Sequence, residues 1–299
     1  MTHLLASPED LIARLRIEGP DEIDVEAIAE FCGATVVYER LTGCEARLIG
    51  RKKRAYITVN ESSPRPEQRF SVAHELGHWM QDHREIVTSC DEKALLTQWL
   101  RHNDEFWNCE FYANHYGAGL LLPTKILKPL VRELPVTFDS VKELSDLFQA
   151  PLTVTAIRLV DVTPFPAALV CSYYRVPSVD DDDVGFDLGR IIWGAKSGNG
   201  LVFLPLHPRP LEEMCRDTVA FRLLSSGFNS PVCPPAADVQ ASQWFDMPDL
   251  SGYTSPNYTI SEHSIKLAHN LVLSLLWWKD PEQIARLRQD REVAWEEMG

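Results

Sequence analysis

The sequence is short of positive charge. Its 299 residues include 43 Asp and Glu against 29 Lys and Arg, which gives a formal net charge of -14. Proteins that hold nucleic acid through many phosphate contacts usually carry an excess of basic residues on the binding face. The composition therefore argues against direct DNA binding. It favours solubility and the attraction of a basic partner.

A disulfide framework, a signal peptide and a transmembrane segment are also missing from the sequence. The seven Cys are widely spaced and form no C-x-x-C pair, which indicates a reducing compartment. The first residues lack the basic and then apolar regions of a signal peptide. The apolar run at 271–278 is too short to span a bilayer. We therefore expect a cytoplasmic protein that does not enter a membrane.

The elements that the sequence does contain are typical of an α+β protein. Capping residues and apolar spacing predict four helices in the first half, and β-branched runs predict three strands in a small antiparallel sheet. The helices are predicted at 8–16, 24–32, 67–83 and 104–121, and the strands at 34–40, 45–50 and 55–60. The segment 84–104 is predicted to be irregular, and 260–278 to be a long helix with an apolar face.

The motif His74-Glu75-Leu76-Gly77-His78 lies on the third predicted helix. Residues at i and i+4 share one face of a helix, so both imidazoles can reach a single tetrahedral Zn²⁺. Glu75 follows the first histidine and can act as the general base for a water activated by the metal. The alternative interpretation is a surface helix with two solvated histidines.

A metal site needs a third ligand, whereas a surface helix with solvated histidines does not. The best candidate for this ligand is Glu110, on the next helix that the sequence clearly predicts. With His74 and His78 it makes a His₂Glu set that leaves the fourth position to water. Asn114, one turn beyond, can accept a hydrogen bond from a ligating imidazole. Glu105 is the main rival of Glu110. Further candidates near in sequence are Asp104, His83, His102 and His115.

Two features of a peptidase site stay open at this point. An oxyanion stabiliser is needed, and Tyr56, Tyr112 and His115 are all possible. An edge strand commonly aligns the substrate of a zinc peptidase by β-addition, and Tyr56–Asn60 is a candidate for it. An ordinary core strand is the alternative interpretation of Tyr56–Asn60.

Taken together, these pieces resemble the ImmA/IrrE family of bacterial metallopeptidases over about residues 25–160. The likeness rests on a strand that ends in Val59-Asn60, on R-F-S-V-A-H-E-L-G-H at 69–78, on E-x-x-A-N at 110–114 and on L-L-L-P at 120–123. It implies a cytoplasmic endopeptidase whose Zn²⁺, or Mn²⁺ in the cell, is bound by His74, His78 and Glu110.

The resemblance also implies a domain order and a partner. The expected order is a zincin-like peptidase domain at 1–130, a helix-turn-helix-like module at 131–162 and a GAF-like sensor domain at 163–299 that binds a small molecule. The expected substrate is an XRE-type helix-turn-helix repressor, whose cleavage starts a response to radiation, desiccation or other DNA damage.

Two other hypotheses fit the same residues. One is a DNA-associated or ligand-sensing regulator in which the metal is structural. The other is a toxin–antitoxin or phage-element peptidase of the same family. The module around 139–161 carries Asp139, Glu143, Asp146 and Asp161 against Lys142 and Arg158. Because this balance suits phosphate contacts poorly, we expect the module to pack or to recognise a protein partner.

Overall fold

The structure is a computed structural model of the chain. It describes residues 7–81, 85–90, 105–174, 188–196, 216–226, 232–245, 258–267 and 271–286. The chain divides into two compact units. Unit 1 comprises Met1–Leu130 and Lys142–Arg158, and unit 2 comprises Val131–Val141 and Leu159–Gly299. Among the described residues, no helix combines the length and apolar character needed to cross a bilayer.

Unit 1 contains the predicted helices and strands of the N-terminal half, most of them within a few residues of the expected bounds. The helices are α1 (Pro8–Leu15), α2 (Val25–Phe31), α3 (Arg65–Gln81), α4 (Glu105–Leu121) and α5 (Thr124–Val131). The strands are β1 (Ala34–Glu39), β2 (Ala46–Arg51), β3 (Arg54–Asn60) and β4 (Glu85–Cys90). The last residue of α5, Val131, belongs to unit 2, and two further helices, α6 (Phe138–Phe148) and α7 (Leu152–Val162), also have residues in both units.

The sheet of unit 1 corrects two predictions. Its strand order is β1-β3-β2-β4, and β1 pairs with β3 in parallel, so the sheet is mixed rather than antiparallel. The segment predicted to be irregular contains β4, which pairs antiparallel with β2. The run Ile86-Val87-Thr88 is β-branched and suits a strand. Because the residues around this short run are polar, the sequence analysis predicted an irregular segment instead of a strand.

Helices α3 and α4 approach each other closely at two glycines. A Cβ on Gly77 would lie 2.9 Å from the Cα of Ala113, and a Cβ on Gly117 would lie 3.0 Å from the backbone N of His74. A real side chain at either position would collide with backbone that cannot move aside. The glycines therefore set the separation of the two helices that carry the candidate site.

A buried arginine fixes the first turns of α3. The guanidinium of Arg69 donates to the backbone O of Ile23 at 2.9 Å and to that of Gln149 at 3.2 Å. Gln149 has a φ of 50°, so its carbonyl is presented by a left-handed turn. Because a buried guanidinium without acceptors is costly, these bonds hold α3 to two loops of unit 1.

Unit 2 is built on a second sheet of five described strands in the order β6-β5-β9-β8-β7. The strands are β5 (Ala167–Tyr174), β6 (Leu188–Lys196), β7 (Ala237–Gln240), β8 (Thr259–Lys266) and β9 (Leu271–Trp277). The helix predicted at 260–278 is wrong, because β8 and β9 pair antiparallel there. Both strands are buried on both faces, and such apolar runs lack the alternation that identifies a strand.

A short helix of unit 2, α8 (Val219–Ser225), is held at both ends by buried charges of β8. The carboxylate of Glu262 accepts from the backbone N–H groups of Val219 and Ala220, at 3.0 and 2.7 Å. The ammonium of Lys266 donates to the backbone O of Leu223 at 3.0 Å. Each charge complements the helix dipole at its own end. The GAF-like and helix-turn-helix-like assignments stay predictions.

Replacing Gly77 with Ala tests the contact between α3 and α4. We expect Gly77→Ala to lower the free energy of unfolding by about 1–3 kcal/mol, because overpacking outweighs the gain of up to ~1 kcal/mol in helix propensity. Gly119→Ala is the control on α4, since its Cβ would meet Pro8 at an ordinary 3.4 Å. Urea unfolding followed by circular dichroism measures both. Equal stability of the two variants would contradict the packing argument.

Candidate metal centre

Both histidines of the motif lie on the buried face of α3. His74 is 1% exposed and His78 is 2% exposed, and Glu75 between them is fully buried. These burials exclude the solvated surface helix that the sequence left open. The face is buried because α4 packs across it at Gly77 and Gly117. The site is therefore formed by the contact between two helices.

Glu110 on α4 completes a compact group of donor atoms. The Nε2 atoms of His74 and His78 are 3.1 Å apart. The Oε2 atom of Glu110 lies 3.3 Å from Nε2 of His74, and its Oε1 atom lies 3.1 Å from Nε2 of His78. Among the described residues, these three side chains form the group of His, Cys, Asp and Glu that can hold a metal ion.

The spacing of the donors suits a small divalent ion. Four-coordinate zinc binds N and O donors at about 2.0–2.1 Å, which places tetrahedral donors roughly 3.3–3.4 Å apart. Burial raises the pKa of Glu110, but its hydrogen bonds and charge interactions with His74 and His78 outweigh burial and lower the pKa to about 2. The carboxyl group is therefore ionised and able to bind a cation.

Asn114 orients the first histidine, as predicted. Its Oδ1 atom lies 2.9 Å from Nδ1 of His74, and the asparagine is buried one turn beyond Glu110. An amide oxygen can only accept, so Nδ1 of His74 carries the proton. Nε2, on the other side of the ring, lies next to His78 and Glu110, where a metal ion would be bound. This tautomer is the one that a metal-ligating imidazole requires.

Glu75 has a partner that the sequence analysis missed. The hydroxyl of Thr88 on β4 donates to Oε2 of Glu75 at 2.5 Å. Oε1 of Glu75 is buried and makes no hydrogen bond within the part of the chain that the structure describes. Thr88 was hidden because its segment was predicted to be irregular. One carboxylate oxygen is thus held in place while the other keeps its capacity to accept a proton.

The other sequence candidates lie elsewhere. His83, His102 and Asp104 are outside the described residues, and for Glu105 only the backbone at the start of α4 is described. His115 is exposed on α4, with its ring centroid 4.0 Å from that of Phe111.

Among the described contacts, none links Tyr56, Tyr112 or His115, the three candidates for an oxyanion stabiliser, to the metal-binding group. Tyr56 is 56% exposed, Tyr112 stacks near Tyr116 at 5.9 Å between ring centroids, and His115 faces Phe111. For Tyr56–Asn60, the structure supports the ordinary core strand over the alignment strand. Tyr56–Asn60 lies in β3, which pairs with β1 on one side and β2 on the other, so it offers no free edge.

Residues 29–160 match the model of the peptidase M78 family, the IrrE N-terminal-like domain. The match contains every residue of the donor group, together with Glu75, Thr88 and Asn114. It supports the resemblance to the ImmA/IrrE family and indicates a metallopeptidase or a related regulator.

A solved structure is similar in fold to most of this chain. It is a Mycobacterium tuberculosis transcriptional regulator, with 12% sequence identity and a TM-score of 0.51. The likeness covers 93% of this chain and 77% of that one. At this identity the likeness concerns the fold alone. No curated protein matches the sequence.

Removing the Asn114 amide tests its orienting role. We expect Asn114→Ala to weaken zinc binding by roughly 10–100-fold, because the tautomer and ring direction of His74 are no longer fixed. His115→Ala, on the same helix but exposed, is the control and should bind zinc like the parent protein. Competition with a chromophoric chelator measures both affinities. Equal affinity of the two variants would contradict the role assigned to Asn114.

Proposed function

We propose that this protein is a zinc-dependent, site-specific endopeptidase that cleaves an XRE-type repressor and so derepresses a stress response. The observation that carries the proposal is the group of three donors at 3.1–3.3 Å beside the fully buried Glu75. Two imidazoles, one carboxylate and an adjacent glutamate are the set that metal-assisted peptide hydrolysis needs. The family match over residues 29–160 supports the same class.

The side chains of the site divide the work of the reaction. A bound zinc ion would acidify the attacking water and polarise the carbonyl of the scissile bond. Glu75 accepts the water proton at Oε1 and passes it to the departing nitrogen, while Thr88 holds Oε2 still. Asn114 fixes the ring of His74, and the ionised Glu110 supplies the negative charge that balances the cation.

Strand β4 is suited to align the substrate. It pairs with β2 on one side, and no described strand pairs with its other side. An extended peptide that added to this side would use main-chain hydrogen bonds for affinity, as in other cases of β-addition. Because Thr88 lies on β4 and contacts Glu75, the added peptide would pass beside the catalytic carboxylate.

The choice of a repressor as substrate rests on charge and on the family resemblance. The chain has a formal net charge of -14, and a DNA-binding protein presents a basic surface. Opposite charges speed the encounter of two proteins and favour the correct partner. In α6, the acidic residues Asp139, Glu143 and Asp146 are exposed, so the helix is suited to a basic protein rather than to phosphates.

Replacing the proposed base separates metal binding from chemistry. We expect Glu75→Gln to keep zinc and to cut more slowly by about 10²–10⁴-fold, because the amide cannot take a proton. His74→Ala should lose both zinc and cleavage. Glu30→Gln, which removes an exposed carboxylate on α2, is the matched control and should cut normally. Mass spectrometry of candidate XRE-type repressors after incubation measures cleavage, and elemental analysis measures zinc.

The same experiment distinguishes the alternative functions. Cleavage that persists in Glu75→Gln would contradict the assigned base. Zinc binding without cleavage of any candidate repressor by the parent protein would instead favour a regulator with a structural metal.

The role of Thr88 gives a second kinetic test. We expect Thr88→Val to lower kcat by roughly 10–100-fold with little change in KM, because Glu75 loses the hydrogen bond that positions it. Thr88→Ser keeps the hydroxyl and should restore most of the rate. Zinc content serves as the check that the metal centre is intact. A valine variant as fast as the serine variant would show that the hydroxyl has no positioning role.

A further inference from the structure

Unit 1 contains a cavity of about 400 Å³, and apart from Asn114 its lining residues have no part in the mechanism described above. Its apolar wall includes Phe70 of α3 and Pro151, Val154 and Ile157 at the start of α7. Its polar rim includes Glu45, just before β2, and Glu67 on α3. Cavities of this size with apolar walls and a few polar groups are typical binding sites.

The cavity lies on the same face of α3 as the metal centre. Glu67, Phe70 and Ser71 line it, and His74 and His78 follow on the same stripe at helical spacing. One turn of helix, about 5.4 Å, separates Phe70 from His74. Asn114, which orients His74, also lines the cavity, so the two sites share a wall.

The cavity also lies near the far end of β4. In the pairing of β4 with β2, Thr88 stands opposite Leu48 and Cys90 stands opposite Ala46, the neighbour of Glu45 on the rim. Strands advance about 3.3 Å per residue, so two residues of β4 span roughly 7 Å from the position beside Glu75 towards the rim. A peptide added to β4 would run along this path.

The walls of the cavity are fixed before any ligand binds. The amide of Gln68 donates to the backbone O atoms of Glu61 and Ser63, at 3.1 and 2.9 Å. Ser63 in turn donates to Glu45. Rigid walls lower the entropic cost of binding and make the shape of the cavity selective.

From these placements we propose that the cavity is the substrate's specificity pocket. It takes one large apolar side chain, such as Leu, Met or Phe, within two residues of the scissile bond. The apolar walls bury that side chain, and the carboxylates of Glu45 and Glu67 exclude an acidic one. This proposal rests on the proposed endopeptidase function, because the pocket has this role only if a substrate peptide crosses the metal centre.

Metal-anchored probes test the pocket without requiring catalysis. The probes are dipeptide hydroxamates, which bind zinc, and they carry Leu, Ala or Asp at the first or the second residue. Calorimetry measures their affinities for the zinc-loaded Glu75→Gln variant. We expect Leu to bind roughly tenfold or more tightly than Ala at one position, and Asp to bind more weakly than both. Equal affinity of the Leu and Ala probes at both positions would overturn the proposal.

Filling the cavity should remove this preference. Thr153 lines the cavity and Leu152 beside it does not, and both are partly exposed. We expect Thr153→Trp to reduce the Leu-to-Ala ratio to less than about twofold, whereas the matched control Leu152→Trp keeps it. Val154→Phe serves as a second filling variant if Thr153→Trp does not fold. A preference that survives in a folded filling variant would overturn the proposal.

A probe without a metal anchor separates failure of the pocket from failure of the proposed function. N-acetyl-leucinamide should shift the methyl NMR signals of Val154 and Ile157 with a dissociation constant of ~1–20 mM, and Thr153→Trp should abolish the shift. This shift in a protein that binds no zinc would support the pocket and contradict only the peptidase. If the signals shift but the Leu and Ala hydroxamates bind with equal affinity, the cavity is a small-molecule site and the proposal is overturned. The absence of any shift would also overturn the proposal.

Discussion

The close approach of α3 and α4 is the constraint on which the rest of unit 1 depends. The backbone of each helix comes within 2.9–3.0 Å of where a Cβ would stand at Gly77 or Gly117. This separation brings a carboxylate of one helix within 3.1–3.3 Å of two imidazoles of the other. A wider contact would leave three buried polar side chains without partners, which is costly. Packing and metal affinity therefore depend on the same two small residues.

Two functional groups of the site, His74 and Glu75, are each held by one fixed neighbour and keep one atom for the reaction. His74 uses Nδ1 for Asn114, and Glu75 uses Oε2 for Thr88. Nε2 of the first and Oε1 of the second remain for the metal and for a proton. Burial makes this arrangement firm, because water cannot replace the lost hydrogen bonds. The neighbours come from α4 and β4, so the site requires both elements.

The sequence predicted the parts of the structure whose signals are local. Caps, glycines and i to i+4 spacing identified α1 to α4 and placed His74, His78 and Glu110 on helices that the fold brings together. Pairing partners have no such local signal. The parallel pairing of β1 with β3 was therefore missed, and β8 with β9 was mistaken for one helix because both strands are buried on both faces.

Thr88 shows how the missed pairing bears on function. No motif marks this residue, and its role arises only because β4 joins the sheet next to β2. The same strand is the one proposed to align the substrate. Among the described strands, only β2 forms main-chain hydrogen bonds with β4. A peptide that paired with the other side of β4 would add a second set of these bonds. Substrate binding would thereby steady Thr88 and, through it, the carboxylate of Glu75.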